Sequence, residues 1–170
     1  MKKTLLITLA LFTVAAAAVA QSAPKAELSA GYSYLRLGFS NGTNMNGFSA
    51  SLAGNANDWL GLVGDFGYYH SSPSGFGVNT ETFAFGPRFT NRSNAKLQPF
   101  GQFLLGGAHL SVLGLGTNAF LFSLGGGANF VLNEHWALRP QFDYIGLRRS
   151  GNTTNSGRLS FALVYRFGGK

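Results

Sequence analysis

The chain has 170 residues, of which 45% are hydrophobic, 14% aromatic and only 11% charged, with 24 Gly, 16 Phe and no Cys. About a quarter of an ordinary soluble domain is charged, so a water-facing surface would be short of ions, while the supply of Phe and Leu excludes a disordered chain. Without Cys there are no disulfides, thiolate metal sites or thiol nucleophiles, and the length fits one domain.

Residues 1–20 have the build of a cleaved secretory signal peptide. Lys2 and Lys3 precede an apolar stretch at 5–14, and Ala18-Val19-Ala20 supplies small residues before Gln21. The apolar run is shorter than the ~20 residues of a spanning helix. Cleavage would leave 21–170 as the domain and lower the formal charge from +7 to +5, because both lysines leave with the signal.

Beyond residue 25 apolar and polar residues alternate with period two. The first segment, 28–39, changes phase near Tyr34-Leu35, which reads as a bulge. Phe48, Ala50 and Leu52 mark a shorter one. Leu60, Leu62, Phe66 and Tyr68 then stand opposite Val63 and Asp65, and Phe83, Phe85, Pro87 and Phe89 opposite Thr82, Ala84, Gly86 and Arg88. Leu97, Pro99, Phe103 and Leu105 oppose Gln98, Phe100 and Gln102. Phe120, Phe122, Leu124, Gly126, Ala128 and Phe130 follow, opposite Leu121, Ser123, Gly125, Gly127 and Asn129. Trp136, Leu138, Pro140, Phe142 and Tyr144 alternate with Ala137, Arg139, Gln141 and Asp143. Leu159, Phe161, Leu163, Tyr165 and Phe167 alternate with Arg158, Ser160, Ala162, Val164 and Arg166.

Eight strands are therefore predicted, at 26–39, 46–54, 58–70, 78–90, 95–108, 118–132, 135–148 and 157–167. Tight turns at 55–57, 91–94 and 133–134 alternate with longer loops at 40–45, 71–77, 109–117 and 149–156. An all-β, eight-stranded antiparallel up-and-down barrel has this layout. A lipocalin-like soluble barrel would share the alternation, but its outer face would carry Lys and Glu. Here one face is Phe, Leu and Tyr, where an Arg or Lys at mid-depth in lipid would cost about 2–4 kcal/mol. The other is Gly, Ala, Ser and Gln with scattered ions, the stock of a narrow lumen. The barrel is expected to be transmembrane, with small residues such as Gly86, Gly106, Gly125 and Gly127 leaving room for neighbouring Arg and Gln. Trp136 and Phe167 at the turn rim, and Tyr34, Tyr68 and Tyr144 at the loop rim, would form aromatic girdles. Trp59 has the wrong parity for lipid, as a local irregularity or a side chain tucked under the barrel.

The opening Glu27-Leu28-Ser29-Ala30-Gly31-Tyr32-Ser33-Tyr34, the repeated hairpins and the closing Leu163-Val164-Tyr165-Arg166-Phe167 resemble the outer-membrane protein A/X type of small β-barrel. That resemblance implies an integral protein of the bacterial outer membrane, both termini in the periplasm, and insertion by the outer-membrane assembly machinery. Members often end on the aromatic residue, whereas Gly168-Gly169-Lys170 follows it here. A peptidoglycan-binding domain after the barrel is not expected, so wall tethering is not carried over from the resemblance.

Candidate chemistry is sparse. His70, His109 and His135 fall at opposite ends of the predicted barrel, so no metal site is expected. His70-Ser71-Ser72 with Asp65 or Glu81 could be drawn as a hydrolytic triad, although a solvated Ser-rich loop explains the same residues. The string Gly114-Leu115-Gly116-Thr117-Asn118-Ala119 matches a dinucleotide motif but opens no helix. Gly125-Gly126-Gly127 reads as lumen packing or a bend. The sequons at Asn41, Asn91 and Asn152 carry no meaning in a bacterial protein.

Asp65, Arg88, Gln98, Gln102, Arg139, Gln141, Asp143 and Arg166 are expected to point inward as one hydrogen-bonded network filling the lumen. Arg36, Arg148, Arg149 and Arg158 are expected at the loop rim, where lipopolysaccharide phosphates would lie. The expected function is that of a non-enzymatic, monomeric outer-membrane barrel, structural in the envelope or active in surface interaction. No cofactor is expected, and its partners are expected to be outer-membrane lipids and not nucleic acid. A narrow ion- or small-solute-conducting pore and a lipid A-modifying hydrolase are the alternatives.

Overall fold

Alternation of apolar and polar residues leaves each strand two-sided, and closing the sheet on itself is how eight such strands escape having exposed edges. The computed structural model describes residues 23–39, 42–72, 77–112 and 115–168. The proposed leader, Asn41, Gly114 and the Gly169-Lys170 tail lie outside the described residues. Eight strands follow in order: β1 Ala26–Leu37, β2 Thr43–Asn55, β3 Leu60–Ser71, β4 Val78–Thr90, β5 Leu97–Val112, β6 Leu115–Val131, β7 Trp136–Arg149 and β8 Asn152–Phe167. Each pairs antiparallel with the next, and β8 pairs with β1 to close the barrel. The eight-stranded up-and-down architecture read from the alternation is the one found.

Register gives the strands their slope. Ala26, Gly54, Leu62 and Pro87 lie side by side, and Phe103, Leu124, Tyr144 and Gly157 continue the row. The row returns to β1 at Arg36 rather than Ala26, the stagger that tilts barrel strands by ~35–45°. Pro87 and Pro140 have no N–H to give the ladder, and the β4–β5 and β6–β7 pairings skip a step at each.

Three expectations need correction. β1 has no bulge: its pairing with β2 and β8 is continuous through Tyr34 and Leu35. Leu35 is apolar because the lumen around it is apolar, so two adjacent apolar residues do not signal a change of phase. Among the described residues, most of the loops expected at 109–117 and 149–156 is strand instead. β5 and β6 stay paired out to Val112↔Leu115, and β7 and β8 to Arg149↔Asn152. At the second tip Ser150 (φ 47°) and Gly151 (φ 85°) adopt the two left-handed conformations of a tight hairpin turn. Polar sequence hid these extensions, because a strand that rises out of the apolar band faces water on both sides. Of the two readings of Trp59 the local irregularity holds, and the side chain does not lie beneath the barrel. It sits in the turn before β3 and stacks on outward-facing Phe89, centroids 5.9 Å apart.

The short turns share one construction. Asn57, Asn94 and Asn133 each accept, through Oδ1, the backbone N–H groups two and three residues ahead. This Asx geometry reverses the chain without a glycine, and it is why Asn recurs at that rim.

Candidate functional site: the lumen and its rims

Inward side chains sort by depth into a charged tier near the short turns and an apolar tier near the loops. Glu27 of β1 is the hub of the charged tier. Its Oε2 accepts from Nη2 of Arg139 at 2.5 Å and lies 4.0 Å from Nη1 of Arg88, while Oε1 accepts from Nη2 of Arg92 at 3.3 Å. Arg139 also donates through Nε to Oδ1 of Asn129, 2.6 Å away. The Arg88 and Arg139 guanidiniums both lie over the inward-facing Phe100 ring, 4.5 and 5.2 Å from its centroid, where the ring's negative face offsets part of their charge.

From there a chain of bonds climbs the barrel. Arg88 donates through Nε and Nη2 to Oε1 of Gln102 (3.0 and 2.8 Å), and Gln102 donates through Nε2 to Oδ1 of Asp143 at 3.0 Å. Gln141 and Arg158 both donate to Oδ2 of Asp143, at 2.8 and 2.9 Å. Arg158 then crosses to Oδ1 of Asp65 at 2.6 Å. Three arginines of this chain are only 2% exposed. Arg139 and Arg158 meet the cost of burial with carboxylates bonded to them directly, whereas Arg88 bonds to the neutral Gln102 and has its nearest carboxylate 4.0 Å away.

Gly125 makes room for the centre of the network. A Cβ built there would run into Oδ1 of Asp143, so the position that faces this carboxylate across β6–β7 must lack a side chain. Gly86 and Gly106 have a different reason from the one expected. A Cβ at either would strike the backbone carbonyl of the adjacent strand rather than a lumen side chain.

The structure brings Asp65, Arg88, Gln98, Gln102, Arg139, Gln141, Asp143 and Arg166 to the inner face. Gln98 and Arg166 stand apart from the bonded chain: Gln98 Oε1 and Arg166 Nε have no hydrogen-bond partner. Arg158 is a correction. It was expected at the loop rim, but β8 begins at Asn152, so its parity and depth put it inside. Sequence reasoning missed Glu27, Asn129 and Phe100 as parts of the network. The signal for Glu27 was present, since Leu28, Ala30 and Tyr32 face outward and the residue before them must face in.

Above Asp65 the lumen turns apolar. Leu35, Met45, Tyr69, Leu104, Leu121, Ile145 and Leu147 belong to one buried cluster, which Val63, two residues nearer the short turn than Asp65, continues downward, and the hydroxyls of Ser33, Thr80, Thr82 and Ser123 are buried among them. At the junction, between Asp65, Leu104, Leu121, Ile145 and Arg158, the remaining space offers ≈ 0 Å³ to a water-sized sphere.

Outside, Phe, Leu, Tyr and Trp side chains form a continuous exposed band. Trp136 and Phe167 both pack edge-on against Tyr165 at the turn rim, with centroids 4.9 and 4.7 Å away. Tyr68 stacks on Phe48 at the other. Above the band the outward positions become polar. Arg36 donates through Nη1 to Oδ1 of Asn44 at 2.7 Å, and Arg148 and Arg149 are exposed at the β7 end.

The triad candidate does not assemble. His70 Nδ1 pairs with Oδ1 of Asn79 (2.6 Å) and Nε2 with Oγ of Ser72 (3.1 Å), so an amide stands where a carboxylate would orient the ring. Asp65 is held in the lumen by Arg158, and Glu81 lies on the outer face directly across from His109. Among the described residues no group of three or more His, Asp or Glu is placed to hold a metal ion. Leu115 to Ala119 of the dinucleotide-like string is β6 strand.

Residues 4–167 match the family model described as the outer membrane protein beta-barrel domain. No curated protein sequence matches the chain. Solved structures do. The attachment invasion locus protein Ail of Yersinia pestis is 18% identical, with a TM-score of 0.61 over 85% of this chain and 99% of that one. Neisserial surface protein A is 16% identical, with a TM-score of 0.66 over 84% and 97%. OprG of Pseudomonas aeruginosa is 9% identical, with a TM-score of 0.59 over 86% and 97%.

Proposed function

Because the chain belongs to the outer membrane protein β-barrel family, a porin-like class of Gram-negative envelope proteins, we propose that it is a closed, non-enzymatic barrel serving envelope integrity or surface interaction rather than solute passage. The observation that carries this reading is the apolar tier. An ion crossing the lumen would have to leave the charged half and pass Leu35, Leu104, Leu121 and Ile145, each no more than 2% exposed. A tier packed at interior density leaves an ion no water, and the few hydroxyls among these side chains are too sparse to replace its hydration shell. Against a hydrolytic role stands His70, whose orienting partner is the neutral Asn79.

Short turns face the periplasm in outer-membrane barrels. Lys25 and Gly168 flank the strands at the short-turn end, so this reading puts both chain ends in the periplasm and the long β5–β6 and β7–β8 hairpins outside the cell. Arg36, Arg148 and Arg149 then sit at the outer leaflet, where charge-assisted bonds to lipopolysaccharide phosphates would anchor the barrel. Outer-membrane lipids are its main partners, and the assembly machinery inserts it.

Planar-bilayer recording on the refolded barrel tests the reading. A folded, heat-modifiable protein that gives no conductance steps is expected, and steady steps from the unaltered chain would overturn it in favour of a narrow pore.

A further inference from the structure

The charged tier is unbalanced. Arg139, Arg88 and Arg92 all approach Glu27, and Arg166 is its direct cross-strand neighbour, facing the same way. Four guanidiniums thus surround one carboxylate. The nearest other lumen carboxylates, Asp143 and Asp65, are taken by Arg158. Asp58 lies at the rim with its Oδ1 accepting from the backbone of Ala23.

The donors record the same imbalance. Nη1 of Arg88, Nη1 of Arg139, Nε of Arg92 and Nε of Arg166 are buried without a hydrogen-bond partner. Arg88 and Arg139 are 2% exposed. Water could accept from such groups, but it would leave three positive charges uncompensated in a medium that penalises them heavily. An anion answers both deficits at once. Guanidinium forks suit an oxyanion, which has several acceptor oxygens.

A cavity of about 720 Å³ adjoins the cluster and opens at the β4–β5 turn, lined by Asp58, Trp59, Phe89, Thr90, Arg92 and Phe100. Arg92 and Phe100 belong to both places: Arg92 reaches Glu27, and Phe100 carries the Arg88 and Arg139 guanidiniums. The outer wall of the same cavity is the stacked Trp59–Phe89 pair of the lipid-facing band.

We propose that the Arg88–Arg92–Arg139–Arg166 cluster around Glu27 is a binding site for a phosphate-class oxyanion, entered through the groove at Trp59 and Arg92. Free phosphate and the phosphate of an anionic phospholipid headgroup share this chemistry. The aromatic outer wall gives the second source a place for its glycerol and acyl part.

Trp59 and Trp136 are the two tryptophans, so a Trp136→Phe chain reports on the groove by Trp59 emission. The folded barrel in a nonionic detergent is titrated with sodium phosphate, with ionic strength held by gluconate, and separately with dihexanoylphosphatidylglycerol. A saturable change with phosphate assigns a free anion, and one seen only with the phospholipid assigns a headgroup. Arg92→Gln/Arg166→Gln should weaken it about tenfold or more, the loss expected from removing charged hydrogen bonds. If that pair fails to give the folded, heat-modifiable band, Arg92→Gln alone, in the turn, should weaken it in the same direction. Glu27→Gln removes the competitor for the same donors and should tighten binding, whereas a purely structural cluster would lose stability with no change in the anion response. No saturable change with either ligand, or one that the arginine variants leave intact, would overturn the assignment.

Discussion

Arg158 of β8 donates to Asp65 of β3 across the lumen, Nη1 to Oδ1 at 2.6 Å, from a position 93 residues further along the chain. The same guanidinium holds Asp143 on its own neighbouring strand. One buried cation thus ties two opposite walls of the barrel together, in the layer where the charged tier meets the apolar one.

Removing that cation should be among the most damaging single changes in the lumen. Arg158→Met leaves Asp65 and Asp143 buried without a counter-charge, which costs about 3–5 kcal/mol. Urea unfolding in phospholipid vesicles should show the loss. The triple change Arg158→Met/Asp65→Asn/Asp143→Asn should recover most of it, and no recovery would mean that the pairing is not what matters.

Gly125 and Gly64 make a controlled pair. A Cβ at Gly125 collides with the Asp143 carboxylate, whereas one at Gly64 meets nothing within 4 Å. Gly125→Ala should therefore destabilise by about 1–3 kcal/mol, as overpacking does, and Gly64→Ala should stay within about 0.5 kcal/mol of the parent. Equal effects from the two would contradict the packing described.

The outer band predicts a depth dependence. Phe85→Arg, in the middle of the lipid-facing surface, should cost about 2–4 kcal/mol in vesicles, and Glu81→Arg, in the polar belt above it, about 0–1. Both are measured by the midpoint of reversible unfolding. A mid-band arginine that is tolerated would argue that this face does not meet lipid.

The apolar tier should be what blocks conduction. Leu35→Ser/Leu121→Ser places hydroxyls where two side chains no more than 2% exposed now pack, and it should introduce conductance steps that the unaltered chain lacks. A double variant that folds and stays silent would shift the seal to the Arg–Glu–Asp tier below.

Much of the barrel was legible because period-two alternation is a local property. Phe83, Phe85 and Phe89 against Thr82, Ala84 and Arg88 declare two faces without reference to any other strand, and eight such segments with Asn-rich turns leave few closed arrangements. The inward position of Asp65, Arg88, Arg139 and Asp143 followed by parity alone. Depth along the barrel did not follow. Leu35 looked like a slip of phase and Arg158 like a rim residue, because parity says which wall a side chain faces and not how far along the axis it sits.

The low charge and the excess of Phe and Gly with which the chain announces itself determined a membrane barrel with a narrow interior, because lipid rejects ions and a small radius rejects bulk. Only the closed structure decided that the interior is layered, that Glu27 is the hub of the arginines, and that Arg158 joins Asp65 to Asp143. Those are contacts between residues far apart in the chain, set by the stagger that accumulates as register passes from strand to strand. No single segment carries that sum.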